Sequence, residues 1–171
     1  MIRTHKLDAS PITSKLWQGG KPKPGFPLPY DLVVLCAEEH HFDPRVYGHR
    51  PFGARARIVR CPLTDGGQPL AQHRIPWVFG AAKEVSGALI AGDKVLVTCA
   101  MGWNRSGLVS ALSLMQLGVS VDDAIAAIRH GRGENALGNP HFVALLYAIG
   151  GRPLVRFAPD ARAHPIRPSR F

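Results

Sequence analysis

Cysteine is scarce in this sequence, and the few cysteines lie far apart. The 171 residues include only Cys36, Cys61 and Cys99, an odd number without the spacing of metal ligands. This pattern argues against a disulfide framework and against a zinc site. Free thiols are typical of a reducing compartment, so we expect a cytoplasmic protein without a bound metal.

Long apolar runs are also missing. No stretch approaches the roughly 20 apolar residues that a membrane-spanning helix needs, and the opening MIRTHKLDASP lacks the apolar segment of a secretory signal. We therefore expect no transmembrane segment. A length of 171 residues, 46% of them hydrophobic, suits one domain with its own core.

Acidic residues are few relative to basic ones. The sequence contains 12 Asp and Glu residues and 21 Lys and Arg residues, so the formal net charge is +9. A basic surface favours anionic partners but does not distinguish phosphopeptides from phosphoinositides, nucleic acid or an acidic membrane. Residues 152–171 carry +4 of this charge and are rich in arginine and proline. We divide the chain into a folded domain, residues 1–151, and a basic C-terminal tail, residues 152–171.

The most informative stretch is residues 94–118, KVLVTCAMGWNRSGLVSALSLMQLG. Residues 94–98 are the β-branched, apolar run of a buried strand. Residues 106–117 are apolar around most of a helical wheel, which indicates a buried helix, and Gly118 is a suitable end for it. Residues 99–105, here called the signature loop, connect the two elements.

A loop between a buried strand and a helix directs several backbone N–H groups toward one point and can bind a tetrahedral anion. Arg105 adds a guanidinium fork that holds two phosphate oxygens at once. The same positive field favours the thiolate of Cys99, the reactive form of cysteine. We predict that Cys99 is a nucleophile aimed at a phosphate bound by Ala100, Met101, Gly102, Trp103, Asn104 and Arg105. The alternative is a buried structural cysteine before an ordinary helix.

Residues 99–106, CAMGWNRS, resemble the C-x5-R-[S/T] signature of the cysteine-dependent protein tyrosine phosphatase superfamily, and the compact chain resembles its dual-specificity branch. The resemblance implies that Cys99 attacks phosphorus and forms a phosphocysteine intermediate. It implies that Arg105 stabilises the transition state and that Ser106 stabilises the departing thiolate. The sequence departs from the family at Thr98, where a histidine is usual. A threonine hydroxyl could partly substitute for it.

Asp65 is the predicted general acid. The resemblance implies an aspartate on a mobile loop that follows a strand and precedes the long helix before the signature. Asp65 lies 34 residues before Cys99 in the segment PLTDGGQPL, where Gly66 and Gly67 could act as a hinge. The alternative is an ordinary Asp-Gly turn.

The remaining pattern predicts a single α/β domain whose central, mostly parallel sheet is flanked by helices on both faces. Strands are expected near residues 14–18, 32–36, 56–61 and 94–98. Helices are expected at 72–91, 106–117, from Ser120 through Ile128, and after Asn139, a predicted cap. Residues 129–133 are expected to form a flexible basic loop in which Arg132 either assists anion binding or is a solvated surface arginine.

Three functions fit these residues. The first is a metal-independent and cofactor-independent protein phosphatase acting on phosphotyrosine, with phosphoserine and phosphothreonine as further substrates. The second is an RNA 5′-triphosphatase, because GWNRSG resembles the GFNRTG of that branch of the superfamily. The third is a catalytically weak phosphate-binding module. We favour the first, because Asp65 suits a poor leaving group and no RNA-binding motif is present. The oligomeric state is left open.

Overall fold

The computed structural model of the chain describes residues 8–22, 29–40 and 56–151. The predicted tail, residues 152–171, lies outside the described residues, so the division into domain and tail stays a prediction. Within the described ranges, no helix is both long and apolar enough to span a membrane.

Five strands form one sheet in the order β1-β2-β5-β3-β4. Only the pairing of β1 with β2 is antiparallel; the other pairs are parallel. The predicted mostly parallel sheet is therefore confirmed. The strands are β1 (Ala9–Pro11), β2 (Leu16–Gly19), β3 (Leu32–Ala37), β4 (Arg57–Leu63) and β5 (Val95–Thr98).

Strand β5 lies between β2 and β3 and is buried along its whole length, as its run of valine and leucine predicts. Strand β1 was not anticipated. It is a three-residue edge strand that ends at Pro11, and proline is tolerated only at such edges, so its sequence carries almost no strand signal.

The described residues contain four α-helices, of which the first lies between β4 and β5 and the other three follow β5. They are α1 (Ile75–Ile90), α2 (Arg105–Gln116), α3 (Val121–Arg132) and α4 (Pro140–Gly150). Their ends follow the expected rules: Gly92 and Gly118 adopt φ values of 84° and 94° just after α1 and α2. The Ser120 side chain caps α3, and the Asn139 side chain caps α4.

The helices pack on one face of the sheet. Their buried side chains, such as Leu108 and Phe142, form one cluster with Val34 and Val97. The smaller cluster on the opposite face includes Val33, Leu35 and Leu96 of the sheet, with Tyr30. We predicted helices on both faces of the sheet, and the described residues show them on one face. Residues 41–55, between β3 and β4, lie outside the described residues.

The prediction of a flexible basic loop at residues 129–133 is wrong. Helix α3 continues through Arg132 and ends at Gly133. Gly131, which suggested a loop, serves close packing instead: a Cβ there would lie 2.6 Å from the Pro11 carbonyl oxygen and 2.8 Å from the Ile12 side chain. Glycine is therefore needed where the helix passes the β1–β2 connection.

Candidate active site

The signature loop leaves the carboxyl end of β5, the position where parallel sheets commonly bind ligands. Cys99 directly follows the strand, and helix α2 begins at Arg105. The Cys99 N–H donates to the Gly19 carbonyl oxygen at 3.2 Å, which keeps the loop in contact with β2. Cys99, Arg105 and Ser106 are all buried.

Several carbonyl oxygens of the loop accept hydrogen bonds from groups outside it. Ala100 O accepts from Lys21 N at 3.1 Å, and Trp103 O accepts from Leu137 N at 3.2 Å. Gly102 O accepts from Nε2 of the buried Gln18 at 2.9 Å. Within one peptide unit the C=O and N–H bonds point in opposite directions. Carbonyl groups that bond outside the loop are therefore compatible with N–H groups that face a bound anion.

Gly102 is required by this loop for two reasons. Its φ is +70°, and a Cβ would lie 2.4 Å from the Gly19 carbonyl carbon. We expect Gly102→Ala to lower the free energy of unfolding by more than the roughly 1–2 kcal/mol that a left-handed conformation costs a non-glycine residue, because backbone atoms of β2 must also move. Urea titration would measure the change.

Gly92→Ala is the matched control. Gly92 has a φ of +84°, but apart from Gly92 and its two chain neighbours no atom of the described residues lies within 4 Å of the position that an alanine methyl group would take there. We expect this variant to show the backbone cost alone. Equal losses for the two variants would contradict the close packing of Gly102 against β2.

Arg105 forms an ion pair with Glu39, a residue that the sequence analysis did not single out. Its Nη1 and Nη2 donate to the two carboxylate oxygens of Glu39 at 2.5 and 2.8 Å, and Nη1 also donates to Leu63 O at 3.2 Å. The Arg105 side chain is only 7% exposed, and its Nε is buried without a hydrogen-bond partner among the described residues. The edge formed by Nη1 and Nη2 is thus occupied, and the Nε hydrogen is left without an acceptor among the described residues.

The charges of this pair reinforce each other. Burial opposes the charge of Arg105, but the hydrogen bond to Glu39 and the electrostatic interactions with Cys99, Glu39 and Asp65 outweigh it and raise the arginine pKa. The hydrogen bond from Arg105 in turn lowers the pKa of Glu39, against the effect of its partial burial. At neutral pH the site therefore contains a fixed arginine cation.

Cys99 and Ser106 are in contact, with 3.3 Å between Sγ and Oγ. The other two cysteines have different surroundings. Burial is the main cause that raises the pKa of Cys36 well above its ordinary value and that of Cys61 to about 12. Both stay protonated at neutral pH, so neither is a candidate thiolate nucleophile.

Thr98 does not reach the loop with its hydroxyl. The Thr98 Oγ1 donates to the Val34 carbonyl oxygen at 3.1 Å and is buried. The hydroxyl thus joins β5 to β3. Its contact gives no support to the idea that it replaces the usual histidine.

Asp65 lies beside the signature loop although it is 34 residues away in sequence. It is exposed, and its Oδ2 accepts from Asn104 Nδ2 at 3.0 Å while its Oδ1 accepts from Asn139 Nδ2 at 2.9 Å. The structure therefore brings Cys99, Arg105, Ser106 and Asp65 to one edge of the sheet. An anion-binding loop, a thiol and a carboxylic acid in one place are the components of acid-assisted phosphoryl transfer.

Comparison with known proteins gives results at the level of structure only. No protein-family profile and no curated protein matches the sequence. A mouse protein described as a dual specificity phosphatase, in complex with zinc tungstate, is similar with a TM-score of 0.71 and 20% identity over 88% of this chain and 91% of that chain. Human DUSP28 is similar with a TM-score of 0.69 and 20% identity over 85% of this chain and 95% of that chain. The chain has the fold of the dual-specificity phosphatases.

The same fold also occurs in the human tyrosine phosphatase-like serine/threonine/tyrosine-interacting protein, with a TM-score of 0.64 and 18% identity over 85% of this chain and 97% of that chain. The dual-specificity phosphatase fold confirms the predicted architecture. At these identities the likeness concerns the fold, so the chemistry depends on the side chains around Cys99.

In this dual-specificity phosphatase fold Arg132 supports the loop from behind. Its Nε donates to Gly102 O at 3.1 Å, and its Nη2 donates to Met101 O at 2.9 Å. It also pairs with Asp8 and donates to Ser10. The guanidinium thus makes four hydrogen bonds and an ion pair, and the side chain is 9% exposed. These contacts give no support to the expected role in binding substrate, and the guanidinium is not solvated.

Three residues of the site were missed or undervalued at the level of sequence. Glu39 and Gln18 have no local motif. Glu39 lies in the turn after β3 and Gln18 lies in β2, and the order of the strands in the sheet brings both to the loop. Asn139 was predicted only as a helix cap, which it is, since it accepts from His141 N at 3.0 Å. Its other contact, with Asp65, depends on how α4 packs and has no sequence signal.

Proposed function

We propose that this protein is a cysteine-dependent protein phosphatase that hydrolyses phosphotyrosine, and also phosphoserine and phosphothreonine, through a phosphocysteine intermediate. The observation that carries the proposal is the buried Arg105, whose Nε has no hydrogen-bond partner among the described residues and which closes the signature loop that begins at Cys99. A buried cation with free donors needs an anion to complete its hydrogen bonds.

The first step is attack of the Cys99 thiolate on phosphorus. The S–P bond forms as the bond between phosphorus and the ester oxygen breaks, and Asp65 gives its proton to that oxygen. The Nε edge of Arg105 and the loop N–H groups stabilise the charge on the phosphoryl oxygens. Glu39 keeps the guanidinium plane oriented, because it occupies the other edge.

The second step is hydrolysis of the phosphocysteine. Asp65, now a carboxylate, takes a proton from water as the water oxygen attacks phosphorus, and the S–P bond breaks to return the thiolate. The Ser106 hydroxyl, 3.3 Å from the sulfur, donates to the departing thiolate. Inorganic phosphate is the second product.

A substrate panel tests the proposal. We expect turnover of para-nitrophenyl phosphate that vanadate inhibits, and a higher kcat/KM for phosphotyrosine peptides than for 5′-triphosphorylated RNA. A preference for the RNA would favour the triphosphatase instead. Absence of turnover, with phosphopeptide binding retained, would favour a binding module. We also propose a cytoplasmic location, which imaging of the tagged protein would test.

The role of Asp65 has its own test. We expect Asp65→Asn to slow hydrolysis of phenyl phosphate or phosphotyrosine, which have poor leaving groups, by roughly 10²-fold, the lower end for general acid catalysis. The loss should be several times smaller with para-nitrophenyl phosphate, whose leaving group needs less help. Steady-state kcat values on the two aryl esters measure the difference.

Asp122→Asn provides a control, because Asp122 is a carboxylate on α3 that accepts from the Tyr147 hydroxyl away from the loop. It should leave both rates unchanged. An equal loss on both esters in Asp65→Asn would remove Asp65 from proton transfer.

A further inference from the structure

We propose that Asn139 is a positioning residue that holds the general acid Asp65 over the signature loop. This inference rests on the proposed phosphatase activity. It assigns a second role to a residue whose sequence context, Asn-Pro before an apolar run, indicates only a helix cap.

Both polar side-chain atoms of Asn139 and its backbone N–H are hydrogen-bonded near the signature loop. Its Nδ2 donates to Asp65 Oδ1 at 2.9 Å and lies 3.4 Å from the Gly66 carbonyl oxygen. Its Oδ1 accepts from His141 N at 3.0 Å, which caps α4. Its own N–H donates to Asn104 Oδ1 at 3.1 Å. The cap therefore fixes the side-chain amide in the orientation that offers N–H to Asp65.

Asn104 completes the arrangement from the signature loop. Its Nδ2 donates to Asp65 Oδ2 at 3.0 Å, while its Oδ1 accepts from the backbone of Asn139. Asp65, Asn104 and Asn139 thus form a ring of hydrogen bonds that joins three segments distant in sequence. Both carboxylate oxygens of the acid are located relative to the loop that binds the phosphate.

The difference in burial between Asn139 and Asp65 indicates that Asn139 is the fixed partner and that it positions Asp65. Asn139 is 7% exposed, whereas Asp65, Gly66 and Gly67 are all exposed and lie outside any helix or strand. The nearby Leu137 is buried with a φ of 55°, an uncommon conformation for leucine. Its N–H bond to Trp103 O anchors the segment before α4 to the signature loop.

Chemistry explains the need for such a contact. A carboxylic acid on a loop with two glycines has many accessible positions, and a misplacement of about 1 Å can cost roughly 10²-fold in rate. Each carboxylate oxygen has two acceptor sites, so Asp65 can accept from an amide and still carry the proton that it transfers. The amides of Asn104 and Asn139 do not titrate, so they orient the acid without replacing it.

The test uses Asn139→Ser in the full-length protein. Serine is also a good N-cap, so the variant keeps the cap of α4 but is too short to donate to Asp65. We expect kcat for phenyl phosphate to fall roughly 10- to 100-fold with KM unchanged, and kcat for para-nitrophenyl phosphate to fall much less. In an Asp65→Asn background the same change should cause no further loss.

Two further measurements separate positioning from stability. Ser120→Ala removes the cap of α3, where Ser120 Oγ accepts from Asp123 N, and should change stability without changing the ratio of the two rates. Order parameters from ¹⁵N relaxation should fall at Gly66 and Gly67 in Asn139→Ser and stay as in the wild type in Ser120→Ala.

The outcomes are distinguishable. A selective loss with phenyl phosphate together with lower order parameters supports the inference. Equal losses on both esters, or unchanged order parameters, overturn it while the phosphatase activity stands. Absence of turnover in the wild type overturns the proposed function and this inference together.

Discussion

Cys99→Ser is expected to abolish turnover on every phosphate ester while anion binding is retained. The serine hydroxyl is not ionised at neutral pH and is a far weaker nucleophile than a thiolate. Loss of a nucleophile lowers kcat by several orders of magnitude in other hydrolases, so we expect a fall of at least roughly 10⁴-fold. Single-turnover assays with para-nitrophenyl phosphate would measure it.

Binding should survive because Arg105, Glu39 and the loop backbone are unchanged. Removing the negative charge of the thiolate from the site should even favour an oxyanion. Tungstate should therefore raise the melting temperature of Cys99→Ser at least as much as that of the wild type. Cys61→Ser, at a buried thiol of β4, is the matched control and should keep its activity. Residual turnover in Cys99→Ser near the wild-type value would exclude Cys99 as the nucleophile.

Arg105→Lys is expected to cause the second-largest loss, although it keeps the positive charge. Lysine has no planar fork, so it cannot pair with both Glu39 oxygens and also offer two donors to a phosphate. Arginines that stabilise phosphoryl transfer contribute roughly 10³–10⁵ in kcat in other enzymes, and we expect a loss of roughly 10³-fold. Weaker tungstate binding should accompany it, because the Nε edge is lost.

Arg57→Lys is the control for an arginine-to-lysine change, because Arg57 pairs with Glu84 on the surface. It should leave kcat/KM unchanged. Glu39→Gln gives a graded comparison: it removes the charge that Arg105 pairs with but keeps one acceptor, so its effect should be smaller than that of Arg105→Lys. Near-normal kcat/KM in Arg105→Lys would mean that the fork geometry has no part in the reaction.

Local pattern was sufficient to predict the central strand, the loop and the helix. The strand expected at 94–98 is observed at Val95–Thr98, and the helix expected at 106–117 is observed at Arg105–Gln116. These elements are buried almost completely, so their residue types have to follow the regular periodicity of strand and helix. The caps at Ser120 and Asn139 were also predictable, because capping is a contact between near neighbours in sequence.

Elements with few local constraints were not predictable. Strand β1 depends on its pairing with β2, and the last turn of α3 depends on the space that Gly131 leaves for the β1–β2 connection. In both cases tertiary contacts override local propensity. The contacts of Arg132 follow from the same packing. Because α3 continues to Arg132, the guanidinium reaches the carbonyl oxygens of the signature loop.

The sequence by itself determined which groups we propose to react: a thiol, a loop with arginine and a hydroxyl, and an aspartate before two glycines. These belong to short segments in which the chemistry and the local backbone depend on the same few residues. Only the tertiary structure decided what holds them. Glu39 against Arg105 and Asn139 against Asp65 are contacts between segments 66 and 74 residues apart, and no short-range pattern encodes a distance that the order of strands and the packing of α4 create.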